Sequence, residues 1–366
     1  MRKTNNTVFR VLIYFIFFTL LFGVIISCNQ DSIFADISVE PPPVDPLIKG
    51  SPTNIVLFDD VICVAGIGAD TIHSYGSGKW TTLKPGKQIA ALAATSTHLY
   101  ALVYSDMMDT ELRCYDGAAK TWTTINKGTA VSMQTLFSAN DHLFVGAKNG
   151  NTWSIYYDNS GTLVPVIINI AELNGAAFSA SNYFLATGNG VYMGNNLSAF
   201  PADIIQGSAG NIKGIINVNG VITAVSRDGR ILRYDTGEFK IVSSTSDYHY
   251  TGAMWIWEET GGSNQLLLLG VQGDGSYNKG YRELTLVGGV PPASGAPVTP
   301  GGSLSSVKPD DKSRYDASLA KYSVYSILQV PLTVDTPAAG KEPLIFASTA
   351  LNGLFVLKDG QWNAQD

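Results

Sequence analysis

The stretch "MQTLFSANDHLFVGA" (133–147) reads as a β-hairpin. Two apolar runs of strand length flank Asn140-Asp141, and a polar pair between such runs marks a tight turn. The second run, "HLFVGA" (142–147), is apolar, then small, then followed by turn residues. Six other runs share that pattern: "VICVAG" (61–66), "HLYALV" (98–103), "YFLATG" (183–188), "VITAVS" (221–226), "QLLLLG" (265–270) and "PLIFAS" (343–348). Their second residues are Ile62, Leu99, Leu143, Phe184, Ile222, Leu266 and Leu344, separated by 37, 44, 41, 38, 44 and 78 residues. Five of the six gaps lie near 40, which is the period of a repeat architecture.

Each run has strand-like neighbours. Upstream stand "NIVLFDD", "IAALAAT", "GAAFSAS", "IKGIINVNG", "GAMWIWEE" and "YSVYSILQV", joined to the run by turns such as Asp59-Asp60 and Asn219-Gly220. Downstream come "TIHSYG", "ELRCYDG", "WSIYYDN", "GVYMGN", "RILRYDT" and "GLFVLKDG", and often a fourth segment around an aromatic: "GKWTTL", "KTWTTI", "GEFKIV", "GQWNAQ". Four strands per period of about 40 residues predict an all-β chain, a β-propeller of about seven four-stranded blades over 53–366. Small residues in the second strand suit a crowded place between blades, and no long amphipathic helical pattern competes. The 78-residue gap holds one blade plus "LVGGVPPASGAPVTPGGSLSSVKPDDKSRYD" (286–316), whose Gly, Pro and Ser predict a mobile loop projecting from blade six; an eighth, degenerate blade is the alternative. Trp80, Trp122 and Trp362 share one place in the repeat, so they are expected to pack blades.

The unit "ELRCYDGAAKTWTTI" (111–125) resembles a kelch-type repeat, in which Tyr-Asp is followed by a tryptophan about six residues on. "RILRYDTGEFKIV" (230–242) carries a weaker echo and is also similar to the Asp-x-x-Thr-Gly element of quinoprotein-type repeats, as in the propeller lipoprotein of outer-membrane barrel assembly. Two or three blades carry these marks, and the kelch double glycine is missing. The resemblance implies a propeller rather than an activity.

Ahead of the repeats, Arg2, Lys3 and Arg10 precede an apolar run from Val11 to Ile26 that is short for a comfortable membrane span. Ile25-Ile26-Ser27-Cys28 resembles the lipobox of bacterial lipoproteins. That resemblance implies a signal peptide over 1–27, and a Cys28 that is acylated and becomes the new N-terminus. A transmembrane anchor and an ordinary secretory signal are the alternatives. Residues 28–52 carry Pro41-Pro42-Pro43, Pro46 and Pro52 and are expected to form a semi-rigid tether. "FADISVE" (34–40) belongs to that tether, or else closes the ring by joining the last blade.

Removing 1–27 takes away three basic and no acidic residues, so the net charge becomes 21 − 30 = −9. Such a chain is a poor partner for nucleic acid or anionic lipid. Cys63 and Cys114 lie in apolar runs and are expected to be buried free thiols, a bridge between adjacent repeats being the alternative. His73, His98, His142 and His249 lack metal-ligand spacing, and no cofactor, phosphate-loop or nucleophile motif is present. "QGDGSYNKGYRE" (272–283), with Asp274 and Asn278, lacks the alternating carboxylates of a calcium loop. Glu258-Glu259 point to opposite faces of a strand and make a poor acid–base pair. Trp255 and Trp257 share a face and, with 286–316, are a candidate contact patch; core filling is the other reading.

These residues favour a non-enzymatic, lipid-anchored scaffold of the bacterial envelope with a protein partner, a role in membrane-protein assembly being implied by the resemblance alone. The alternatives are a propeller that binds or hydrolyses glycans or small ligands at the channel mouth, and a surface-exposed host-binding lipoprotein.

Overall fold

The computed structural model describes residues 46–105, 109–259, 264–272, 280–306, 319, 322–331 and 343–365. Seven antiparallel sheets follow one another along the chain, each paired in sequence order. Their first strands, β1 (Val56–Phe58), β5 (Ile89–Ala94), β9 (Met133–Ala139), β13 (Leu173–Ser179), β16 (Ile212–Val218), β20 (His249–Glu258) and β24 (Val324–Gln329), are neighbours around one axis. This is a seven-bladed β-propeller. Six blades have four strands, and the fourth has three among the described residues, with Leu197–Ala199 as a 3₁₀ turn and Ile204 bridging back to Tyr192.

The hairpins form because their turn residues accept a left-handed backbone. Asp59 and Asp60 (φ 48° and 58°), Asn140 and Asp141 (47° and 58°), and Asn219 and Gly220 (49° and 91°) all have positive φ at both central positions. That geometry matches the right-handed twist of paired strands. The second strands are sandwiched between neighbouring blades, so both of their faces are covered. This is why β2 (Val61–Ala65) reads "VICVA" without alternation, Ile62 to Ala65 being wholly buried.

Aromatic side chains join one blade to the next. Phe58 meets Tyr115 at 6.1 Å between centroids, Phe144 meets Tyr183 at 5.7 Å and Phe184 meets Tyr234 at 5.0 Å. Trp362 of blade seven meets Tyr281 of blade six at 5.7 Å. Trp80 and Tyr75 of blade one close the ring against Phe346 of blade seven. Trp122 packs at a tilt against Tyr115 within its own blade, with centroids 5.1 Å apart. The repeat-equivalent tryptophans therefore pack blades, as their spacing predicts.

Two boundaries differ from the sequence expectation. Val298–Pro300, inside the stretch read as a projecting loop, is β23, the outer strand of blade six, paired with β22 (Gly280–Thr285). Glu283 of β22 fastens the residues after β23 by accepting from the Gly302 and Ser303 amides at 2.9 and 3.2 Å and from the Ser303 hydroxyl. The end of the expected tether also belongs to the domain. Ile48 is buried among Ile55, Val64, Leu328 and Phe346, and the Leu47 amide donates to the Gln365 carbonyl at 3.1 Å. Blade seven is built from β24 to β27 (Gln361–Ala364), all C-terminal. Residues 34–40 and Cys28 lie outside the described residues.

Both propeller cysteines are free and buried. Burial pushes each thiol up to about 11, opposed at Cys63 by its hydrogen bond with Ser74 and reinforced at Cys114 by repulsion from Asp158. Thiolates are the reactive form. Neither cysteine should react with a water-soluble disulfide reagent in the folded domain, and both should react in denaturant. Rapid labelling of the native protein would contradict this packing.

Candidate functional site

The first strands surround a channel of about 410 Å³ lined by residues of all seven blades. Six of these strands carry a bulge near their start, where an extra residue interrupts the register: Ala90, Gln134, Asn174, Lys213, the 251–253 segment and Tyr325. A bulge leaves one residue unpaired and re-aims it. Asn174, Lys213, Thr251 and Tyr325 line the channel at these places. The residue after each single-residue bulge is small (Ala91, Thr135, Gly175, Gly214, Ser326) because the next inner strand is close. A Cβ on Gly214 would stand 2.5 Å from the Gly252 carbonyl oxygen, and one on Gly252, whose φ is +101°, would stand 2.0 Å from that of Lys213. Gly252→Ala should therefore cost about 2–3 kcal/mol in urea denaturation. A neutral result would mean that the inner strands can part.

Several polar groups of the wall are spent on joining blades. Asn174 Nδ2 donates to the Ile212 carbonyl at 2.7 Å, the Thr251 hydroxyl donates to the Val324 carbonyl, and Ser326 Oγ accepts from the Ile55 amide at 3.0 Å. Lys213 Nζ lies 3.8 Å from Glu172. No carboxylate, histidine or cysteine is among the described residues lining the channel. No cluster of three or more potential metal ligands occurs among the described residues.

Trp255 and Trp257 do share a face of β20, but they are not an exposed pair. Trp257 is 6% exposed in the packing between blades six and seven, among Leu268, Tyr281 and Ile327. It has no surface to offer a partner and is a core residue. Trp255 is half-buried on the channel wall. The face of a strand follows from period two, but a strand covered on both sides buries either face.

The two ends of the ring differ in charge. On the turn face, where first strands turn into second and third into fourth, stand Asp59, Asp60, Asp116, Asp141, Asp158, Asp235, Glu238, Glu258, Glu259 and Asp359. Lys79, Lys120, Arg233, Lys240 and Lys358 are the cations described there, Arg233 lying opposite Lys240 and donating to the Pro291 carbonyl at 2.5 Å. Over blades one to three this face holds a cleft floored by Leu57, Ala94 and Ala139 and walled by Asp59, Asp60, Ser96, Asn140 and Asp141. The Ser96 amide donates to Asp141 Oδ1 across two blades at 2.9 Å, and this bond holds the carboxyl below its usual range. Glu258 and Glu259 bond Gln265 and Asn264 within their hairpin, at 2.8 and 2.7 Å, and do not meet as a catalytic pair.

The opposite, loop face carries most of the described lysines. Glu111 accepts from Lys87 Nζ at 2.6 Å, Arg113 Nε at 2.7 Å and Thr124 Oγ1 at 3.0 Å, while Arg113 also donates to the Pro85 carbonyl. Burial opposes ionisation of Glu111, but the three donors outweigh it and bring the carboxyl down to about 2. A lowered carboxyl stabilises the fold above its unfolded pKa, and that contribution disappears as pH falls through the folded value. The penalty of Glu111→Gln should be full, about 1–3 kcal/mol, above pH ~5 and should fade towards pH ~2. A pH-independent penalty in urea titrations would refute the assignment.

The remaining sequence candidates are structural or lie elsewhere. Ser226, Asp228 and Arg230 close an Asp-Gly turn on one another. Of 272–283, residues 273–279, with Asp274 and Asn278, fall outside the described residues. No described helix is long and apolar enough to cross a membrane.

The site thus belongs to a seven-bladed propeller, and comparison with known proteins supports that fold. No family model matches the chain, and no curated protein matches it. Among solved structures, it is similar to the extracellular domain of BT4673 from B. thetaiotaomicron, described there as a putative hybrid two component system. The identity is 12% and the TM-score 0.54, over 86% of this chain and 39% of that one. A chain of the mitotic checkpoint complex matches with 12% identity and a TM-score of 0.55, over 88% of this chain and 98% of its own length. At such identities the likeness is one of fold. The chain spans well under half of the bacterial domain it matches.

Proposed function

We propose that the protein is a lipid-anchored scaffold of the bacterial envelope that presents its acidic turn face to a basic protein surface. The charge difference between the two faces carries this reading. Carboxylates at turn tips are held by the rigid blades beneath them, so they form a fixed negative field that steers and selects a positively charged partner. Acylation at Cys28 and the Pro-rich tether account for attachment. The extracellular placing of the matched BT4673 domain agrees with an envelope location, and a role in membrane-protein assembly is the narrower form of the idea. No cofactor is invoked.

The test uses a variant that removes charge without harming the turn. Asp59→Asn with Asp60→Gly yields an Asn-Gly pair, which suits the same positive-φ hairpin. Crosslinked capture from native envelopes should recover a partner with the parent chain, less with this variant, and less at high salt. Equal recovery from both chains, or recovery indifferent to salt, would count against the acidic face. Failure to recover any partner under conditions that preserve other envelope complexes would turn attention to glycan screens. The half-exposed wall of Asn174, Lys213 and Tyr325 at the channel is the observation that favours that second reading.

A further inference from the structure

Five large apolar side chains stand exposed on the loop face of blades seven, one, two and three: Leu351 (78% exposed), Val131 (51%), Ile67 (49%), Tyr325 (44%) and Tyr104 (38%). Backbone bonds show that they form one arc. Ser51 accepts from both the Ile67 amide and, through its hydroxyl, the Leu351 amide, at 2.9 and 3.1 Å. The Ala350 amide donates to the Ser323 carbonyl, which brings Leu351 beside the segment leading to Tyr325. Gly68 and Ala69 exchange bonds with Ile89, whose neighbour Gln88 accepts from the Tyr104 amide. Tyr104 pairs with Thr110, and the Thr110 hydroxyl donates to the Met133 carbonyl, two residues beyond Val131.

Lysines border this arc. Lys84, Lys87 and Lys127 are matched by Asp70, Glu111 and Asp109 at 4.0, 2.6 and 3.1 Å, so these described pairs leave little net charge beside the arc, while the described residues of the opposite face are mostly acidic. The chain also enters the domain here. The Leu47 amide bonds Gln365, and the Gly50 carbonyl accepts from Gly353 at 2.8 Å, beside Leu351. The 45 residues that precede Pro46 include the apolar run 11–26 and Cys28. The first described residues, Pro46 to Gly50, therefore lie on the side of the apolar arc rather than on the acidic face.

We propose that this arc rests on the phospholipid surface of the membrane that carries the chain, with Leu351, Ile67 and Val131 in the boundary between headgroups and acyl chains. The inference rests on the anchored reading for its membrane and adds an orientation to it. From Cys28 to Pro46 a chain of this length could reach roughly 60 Å at full extension, so an anchor by itself does not fix which face of the propeller meets the bilayer. Single apolar residues on rigid loops, interspersed with lysines, suit shallow insertion among headgroups. A protein groove would instead call for one contiguous apolar face. With the arc down, the acidic turns point away from the bilayer, where anionic lipid would repel them.

The experiment places one reporter cysteine at a time in the full chain. Ile67→Cys and Leu351→Cys mark the loop face, and Asp60→Cys and Glu259→Cys mark the turn face; the native propeller thiols are buried and slow to label. Protein purified from envelopes is reconstituted in vesicles of phosphatidylethanolamine and phosphatidylglycerol that carry nitroxide-labelled acyl chains. Fluorophores at 67 and 351 should be quenched and those at 60 and 259 should not. Ile67→Ser with Leu351→Ser should shift the equilibrium away from the lipid-resting orientation by about tenfold or more per residue replaced, read as reduced quenching of a reporter at Val131→Cys. Circular dichroism checks that these exposed substitutions leave the fold intact. Equal quenching on the two faces, or none on either, overturns the inference, as does shielding of 67 and 351 by a protein in native envelopes without lipid quenching. The mass of the N-terminal peptide tests acylation of Cys28 separately, so a failed anchor and a failed orientation give different results.

Discussion

Phe346→Ala should cost the propeller about 3–5 kcal/mol, a large share of the stability of a typical domain. Phe346 lies in the second strand of blade seven and is wholly buried. Its ring meets Tyr75 at 5.4 Å and Trp80 at 5.7 Å, both from blade one. Blade seven is made of C-terminal strands and blade one of N-terminal strands, so among the described residues no strand of one blade is completed by the other end of the chain. The seam between them depends on packing and a few hydrogen bonds. A cavity there removes edge-on aromatic contacts as well as buried area, and neither side is held by a covalent link of the kind that joins all other neighbours. Phe184→Ala is the matched control. Phe184 is also buried and meets Tyr234 of the next blade, but its seam is spanned by the chain itself. Urea denaturation should show Phe346→Ala unfolding earlier than Phe184→Ala. Equal midpoints would show that closure is no weaker than the other seams.

Much of this architecture is legible in the sequence because a blade repeats a physical problem. Asp59-Asp60, Asn140-Asp141 and Asn219-Gly220 mark turns that need positive φ, and the small-residue second strands mark crowding between blades. What escapes reading is whatever the repeat does not constrain chemically. Outer strands are edges, so Val298–Pro300 can be three residues long and contain a proline, and it is invisible in a Gly- and Pro-rich stretch. The bulged residues of the channel vary from Ala90 to Lys213 to Tyr325. The signal that could have found them is the pattern around them, a large apolar residue, any residue, then a small one, as in Leu173-Asn174-Gly175 and Ile212-Lys213-Gly214. Trp257 illustrates a different loss, since spacing tells which residues share a face but not whether another blade covers it. The loop-face arc is assembled from residues up to 284 positions apart, Ile67 and Leu351, which only ring closure brings together.

Starting the chain at residue 53 instead of 46 should destabilise the domain by about 3–5 kcal/mol. Composition assigns the segment before residue 53 to a tether, because prolines dominate it and no neighbouring apolar pattern gives Ile48 a place in a strand. The fold gives Ile48 a place: it is 2% exposed and packs against Ile55 and Val64 of blade one and Leu328, Phe346 and Leu354 of blade seven. The same segment bonds both sides of the seam, through Gln365 and Gly353 in blade seven and Ile67 after β2 in blade one. It therefore does for this ring what a shared strand would otherwise do, and its loss should act on the same seam as Phe346→Ala. A double comparison makes that specific. If both changes weaken one interface, combining them should cost less than the sum of the two, whereas distant sites would add. Thermal and urea midpoints of the four chains test this, and an unchanged midpoint for the chain starting at 53 would return residues 46–52 to the tether. The outcome also bears on orientation, because a segment fixed across the seam delivers the chain to the loop face at a defined point beside Leu351.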